Sequence, residues 1–435
     1  MIEICILDFD SRAAVTLAKE LARLKYQAEV DHALYLSLVN RAVNAFRKEV
    51  SIYDLEKDLI NIRSINKQRK FILLTVIPIY ELIELDIHVY SQFVWDNILV
   101  YDYKLRKGLQ RRKDIEATYR FIAEIVAKYN VQASGRVAVL GEDLEDIAVG
   151  YTAGAYVILN AIRWTQWSYQ TSATAVGMTP DLVLTSIDQL AGFLENPKNY
   201  FPALEYLVAN VRGPTVDICG LRYEQIPSEG PVIYSAGRFF PRDMSFQARR
   251  DSHLLTRCII SSRTDEHYKK AVLQTVVGFL NLNYPKLNKR DRQLIIAPIL
   301  PRLVEGLSNS RFIEQVKEFD NSADQGFKIA NNFRVESDTI FSSSSTNFPE
   351  DYPDVDESDL EAYYNNFDVD EQNVEGNTLI IVVELITSPR ILVSLDRKLK
   401  KAGAKGVKWL ALATTVNYPH SELARNRHLN SEQEL

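Results

Sequence analysis

The sequence predicts an α/β protein made of two doubly wound parallel-sheet domains. Three observations lead there. Short apolar runs at residues 2–7, 71–76, 136–140 and 155–159 alternate with stretches of helical periodicity. Strands that alternate with helices in this way argue for a parallel sheet covered on both faces. At 435 residues the chain exceeds what one hydrophobic core usually serves.

Taken in order, residues 2–7 read as the first strand. Residues 13–30 carry Val15, Leu17, Ala18, Leu21 and Leu24 at helical spacing, and a helical stretch continues to about residue 68. The strand at 71–76 follows, then an amphipathic helix at 115–129, then the strands at 136–140 and 155–159. Asn196-Pro-Lys-Asn-Tyr-Phe-Pro202 marks a boundary. The expected domains are therefore 1–196, with a helical cap at about 13–68, and 197–435. In the second domain, 234–243 is a turn-rich basic segment, 266–282 a long helix and Leu294–Ile299 a buried strand. Residues 378–416 read as a buried strand, a tight loop, a basic helix and another buried strand.

Charge is uneven. Between Arg334 and Arg390 there is no Lys or Arg, and 14 of the chain's 57 acids fall there, leaving 43 acids against 51 bases elsewhere. The acidic segment, about 335–377, contains the serine run 342–345 and is too polar to suggest a core of its own, so it is expected as a loop insert. It is a candidate surface for a protein partner. The mildly basic remainder suits an anionic ligand, and nucleic acid stays open, although solvated surface charge is the plainer explanation. No apolar run is long enough to cross a bilayer, so no membrane association is expected. Cys5, Cys219 and Cys258 make neither a disulfide framework nor a metal pair. With a first segment that reads as a strand rather than a leader, this points to the cytoplasm.

Carboxylates gather where strands end. Asp8 and Asp10 close the first strand in Ile-Leu-Asp-Phe-Asp-Ser, and Glu142, Asp143 and Asp146 follow the third in Leu-Gly-Glu-Asp-Leu-Glu-Asp. Parallel sheets bind ligands beyond the carboxyl ends of their strands. Oxygen ligands of this kind suit Mg2+. Thr75 ends the second strand and Lys113 precedes a helix, offering a hydroxyl and a cation to a phosphate. The alternative for Asp8 and Asp10 is an ordinary turn or cap.

In order and spacing these residues resemble the haloacid dehalogenase (HAD)-like phosphohydrolases. The matching motifs are Asp8-Phe-Asp10-Ser-Arg12, Thr75, Lys113 and Gly141-Glu142-x-x-x-Asp146, with 179–190 resembling a final strand and helix. Arg12 and Glu142 stand where the family has Thr and Asp. The resemblance implies Asp8 as nucleophile, Asp10 as general acid and base, and Thr75 and Lys113 as phosphate-holding groups. It also implies Mg2+ bound by Asp8, Asp10, Glu142, Asp143 and Asp146. No organic cofactor is expected.

Residues 253–416 resemble type I phosphoribosyltransferases, nearest the ComF-like competence branch. The early strand and loop correspond to 257–268, an apolar strand to 294–302, and a turn to Asn309-Ser-Arg-Phe312. Val383-Glu384 and Thr387-Ser388-Pro389-Arg390 occupy the diphosphate-sugar motif. One of its two acids is kept, and Pro389 replaces the glycine that lets backbone approach phosphate. The resemblance implies Glu384, Thr387, Ser388 and Arg390 as ligand-binding residues, while Ser or Thr followed by Pro is equally a plain helix start.

Elsewhere, Arg249-Arg250 and Arg111-Arg112-Lys113 read as solvated basic runs. His253 and His267 flank an expected strand, as structural or site residues. Trp164, Trp167 and Tyr169 fit either a core or a base-stacking surface. The function expected is a Mg-dependent phosphohydrolase acting on a nucleotide or sugar phosphate, joined to a domain that has lost phosphoribosyl transfer. The alternatives are an inactive nucleotide-sensing or partner-binding regulator of stress or bacterial defence, and a divergent phosphoribosyltransferase.

Overall fold

The computed structural model describes residues 1–8, 37, 52–75, 93–100, 103–104, 112–113, 115–131, 134–141, 150–151, 153–160, 180–209, 221–223, 231, 233–242, 247–261, 266–283, 294–299, 315–316, 333–334, 341–343, 353–354, 356–387 and 389–416. They fall into two compact units that divide after Pro197.

The first unit is a parallel sheet. Its strands are β1 (Ile4–Asp8), β2 (Lys70–Thr75), β3 (Asn97–Val100), β6 (Val137–Gly141), β7 (Tyr156–Asn160) and β8 (Leu182–Leu184). They lie in the order β3-β2-β1-β6-β7-β8, all parallel. A small antiparallel pair, β4 (Tyr103–Lys104) with β5 (Arg112–Lys113), stands apart from this sheet. The helices are α1 (Ile52–Ile65), α2 (Ile115–Lys128) and α3 (Ile187–Glu195). Ile4, Cys5, Ile6 and Leu7 are fully buried, as a strand covered on both faces requires. β3 was not evident in the sequence, whereas β8 and α3 coincide with the expected final strand and helix. The expected helix at 13–30 lies outside the described residues, as do Trp164, Trp167 and Tyr169.

The amino-terminal ends of this sheet are tied by Arg69, which is fully buried. Its Nε donates to the Ile2 carbonyl at 2.9 Å, and its Nη2 reaches Glu195 Oε1 at 2.6 Å and the Leu194 carbonyl. Burial pushes the Cys5 thiol up to about 12, against the pull of Arg69, so Cys5 is an inert core residue.

The second unit holds β9 (Leu221–Tyr223), β10 (Ile233–Ser235), β11 (Arg238–Phe239), β12 (Leu294–Ile299), β13 (Phe333–Arg334), β16 (Thr378–Ile386) and β17 (Gly406–Thr415). Their order is β13-β12-β16-β17-β10-β9, with β11 also on β17; all pairs are parallel except β10 with β9. Around the sheet are α4 (Ala203–Ala209), α5 (Gln247–Ser252), α6 (Leu254–Ser261), α7 (Glu266–Asn283), α8 (Glu357–Asn365), α9 (Glu371–Val374) and α10 (Val393–Lys401). β14 (Phe341–Ser343) and β15 (Phe367–Val369) form a separate antiparallel pair. In β16 every residue from Leu379 to Ile386 is buried, each large aliphatic side chain contributing about 1.5–3 kcal/mol.

Three expectations change here. The strand expected at the start of 257–268 is helix α6. Leu255, Cys258 and Ile259 are buried at helical spacing, and the His253 imidazole caps the helix by accepting the Thr256 N–H at 3.2 Å. The acidic segment is not simply a loop: its described part folds as α8, β15 and α9, with Leu360, Tyr364, Phe367 and Val374 buried. The acids suit the starts of these helices rather than opposing them. Asp356 precedes α8, and Asp370 accepts the Gln372 N–H at 2.9 Å at the start of α9. Lys398 Nζ donates to the Asn365 and Phe367 carbonyls at 2.6 and 2.9 Å, holding the end of α8 against α10. Arg249 and Arg250, read as solvated, are buried and half-buried.

Candidate functional site

The strand order of the first unit reverses between β1 and β6. From β1 the chain builds outward through β2 and β3, then restarts at β6 and builds through β7 and β8 the other way. The crevice between the carboxyl ends of two such strands is where open parallel sheets take ligands. Asp8 is the last residue of β1 and Gly141 the last of β6. Leu7 pairs with Leu140, which sets Asp8 level with Gly141 across that crevice. On the other side Asp8 pairs with Leu74, so Thr75 ends β2 one step beyond. Three residues singled out from sequence thus end three adjacent strands, neighbouring strands lying about 4.8 Å apart. Asp10, Glu142, Asp143 and Asp146 lie outside the described residues; in the chain they follow these strand ends closely.

Lys113 lies in β5, opposite Tyr103, two residues before α2, the helix that leads toward β6. The side chains of Asp8, Thr75 and Lys113 are outside what the structure describes, so these placements concern backbone and register. Among the described residues no group of three or more His, Cys, Asp or Glu comes together. The fit to Mg2+ therefore rests on the donor set: every acid at or just after these two strand ends is a hard oxygen ligand.

In the second unit Glu384 lies in β16, and Ile386, the last residue of that strand, pairs with Thr414 of β17. The Glu384 side chain has no solvent exposure. The Tyr268 phenol is pushed well above its ordinary range by burial, by the Glu384 charge and by Cys258. Tyr364 is raised by burial and by the charges of Tyr363 and Glu384. Glu384 is thus set among core phenols that stay protonated. Thr387 is half-buried, and Pro389–Leu392 forms a 3-10 turn leading into α10. Ser388 and the Arg390 side chain lie outside the described residues.

Sequence reasoning missed a buried ionic network in this unit. Glu205 Oε1 accepts the Arg238 backbone N–H at 2.7 Å and its Nε at 2.9 Å, and Oε2 accepts Nη2 at 2.7 Å. His253 Nε2 lies 3.1 Å from Glu205 Oε2, and its Nδ1 lies 2.8 Å from the Thr256 hydroxyl, which accepts the Phe240 N–H. Burial opposes ionisation of Glu205, yet Arg238 and His253 together outweigh it and hold the carboxyl well below its ordinary range. For His253 burial dominates and lowers the pKa against the pull of Glu205. Nδ1 accepts from the Thr256 N–H, so Nε2 carries the proton and donates to Glu205. His253 is therefore a satisfied structural histidine. Gly237 makes the approach possible: a Cβ there would collide with the Leu255 side chain and crowd the Leu412 carbonyl.

Comparison with known proteins gives structural likenesses only. No family model matches the chain, and no curated protein does. L-2-haloacid dehalogenase from Xanthobacter autotrophicus aligns at 12% identity over 45% of this chain and 99% of its own, with a TM-score of 0.28. A protein described as a HAD-hydrolase from Bacillus subtilis, bound to magnesium, aligns at 13% identity over 45% of this chain and 99% of its own, with a TM-score of 0.25. UMP synthase from Leishmania donovani aligns at 12% identity over 99% of this chain and 88% of its own, with a TM-score of 0.20.

Proposed function

We propose that the first unit is a Mg-dependent phosphohydrolase acting on a nucleotide or sugar phosphate. The observation that carries this is the register that sets Asp8 beside Gly141, with Thr75 on the next strand, at the reversal of strand order. The strand ends that carry Asp8 and Thr75, and the one that leads in sequence to Glu142, Asp143 and Asp146, then lie where a parallel sheet binds its ligand. Asp8 attacks phosphorus and forms an aspartyl-phosphate, while Asp10 protonates the leaving oxygen and then activates water. Thr75 and Lys113 hold the phosphoryl oxygens as charge builds on them. Asp8, Asp10, Glu142, Asp143 and Asp146 would hold Mg2+, whose charge would neutralise the transferring group.

The burial of Glu384 favours a second unit that has lost phosphoribosyl transfer and serves binding or regulation. On this reading the exposed acids Asp359, Glu361, Asp368, Asp370 and Glu371 face a basic protein partner. The setting is the cytoplasm, and among the described residues no helix is long and apolar enough to cross a membrane. The test is phosphate release from a panel of nucleotide and sugar phosphates with Mg2+. Turnover that disappears in Asp8→Asn supports the reading, and turnover that survives it refutes the assignment.

A further inference from the structure

The acidic segment places one carboxylate where a ligand's anion would fit. Asp354 accepts Nη1 and Nη2 of Arg250 at 2.6 and 2.7 Å, and the backbone N–H of Arg242 at 2.9 Å. A flat guanidinium fork completed by a backbone N–H is equally a way to hold a phosphoryl group. Arg250 does not depend on Asp354 for its orientation. Its Nη1 also donates to the Phe240 carbonyl at 3.1 Å, and its guanidinium carbon lies 5.6 Å from the centre of the Phe239 ring. The fork therefore has anchors besides Asp354.

Position and charge agree. β11 runs parallel to β17 with Phe239 opposite Thr415, so the fork stands at the carboxyl edge of the second sheet. Arg249 and Arg238 lie 5.6 and 6.0 Å from the Phe240 ring, adding positive charge nearby. Glu205 already answers Arg238, so removing Asp354 leaves a cationic surplus. The ion pair is accessible to small solutes, with side-chain exposures of 11% for Arg250 and 24% for Asp354.

We propose that Arg250 and the Arg242 N–H form a phosphate subsite that the chain's own Asp354 occupies. Inorganic phosphate or a phosphomonoester competes with Asp354 for it. The second unit is thereby held in a self-occupied state by the segment that continues into α8. This does not depend on the hydrolase reading of the first unit.

The test is calorimetric titration of the full chain with inorganic phosphate in the presence of EDTA, every protein carrying Lys113→Ala to weaken phosphate binding by the first unit. Adding Asp354→Asn should tighten phosphate binding at least about tenfold, and adding Arg250→Gln to that variant should abolish the gain. Equal affinity with and without Asp354→Asn overturns the proposal, as does a gain that survives Arg250→Gln. Should Asp354→Asn fail to fold, amide exchange of the otherwise unaltered chain decides. Phosphate at tens of millimolar should speed exchange in Glu357–Asn365, and unchanged exchange overturns the proposal.

Discussion

In the first unit the strand ending in Asp8 runs between one ending in Thr75 and one ending in Gly141. In the second, the strand carrying Glu384 keeps that carboxylate inside the core, and Arg250, before α6, is already paired with Asp354. Both are parallel sheets, and both set charged residues near their carboxyl edges. The difference lies in what surrounds the charges of the second unit: Arg250 is answered within the chain by Asp354, and Glu384 is closed off from solvent. A carboxylate at a strand end, followed in sequence by more acids, suits a cation and a phosphate. A carboxylate shut in the core and a guanidinium matched to an internal acid leave less for a ligand to meet. Ancestry of fold therefore says less about activity than the partners each charged group has found.

The largest effect that separates the units is catalytic. Asp8→Asn should lower phosphomonoester hydrolysis by at least about a thousandfold in steady-state assays. Glu384→Gln should leave the rate per folded molecule unchanged. A matching loss in Glu384→Gln breaks the comparison. Next comes stability. Glu205→Ala strands the buried Arg238 charge and should cost about 3–5 kcal/mol in denaturant unfolding of the second unit. A loss below about 1 kcal/mol would mean that the network is not structural. Thr75→Ala should reduce turnover about ten- to a hundredfold, because it removes one phosphate donor and leaves the nucleophile.

The smallest effect is in pH. The folded second unit holds His253 neutral, while the unfolded chain takes up its proton near pH 6.5. Protons thus favour unfolding, and stability should begin to fall as pH drops through about 6.5. Glu205, held below its ordinary range, adds a further loss as pH falls below about 4.3. His253→Gln, whose amide can both accept from Thr256 and donate to Glu205, should flatten the first step in denaturant midpoints measured between pH 5.5 and 8. A step that persists in this variant assigns the titration to another group.

Much of the fold was legible because buried parallel strands leave continuous apolar runs: β1, β2, β6, β7, β12, β16 and β17 all sit where such runs occur. Asp8 and Thr75 were legible for the same reason, since a polar residue that ends an apolar run marks the carboxyl end of a strand. α6 was not, because Cys258-Ile-Ile is as strand-like as it is helical, and the deciding contact is the imidazole cap from His253. The fold of the acidic segment was hidden by composition. Leu360, Tyr363, Tyr364 and Phe367 keep a helical spacing that the surrounding acids mask. The Glu205–Arg238–His253 network leaves no local mark, since its members come from α4, β11 and the start of α6 and meet only on folding.

The most direct test asks whether the first edge gathers a cation. Mn2+ added to the full chain in place of Mg2+ can be followed by its paramagnetic resonance, with no substrate present. A saturable site is expected, lost in Asp8→Asn and kept in Glu384→Gln. Mn2+ binding that is unchanged in Asp8→Asn would contradict a metal site at this edge.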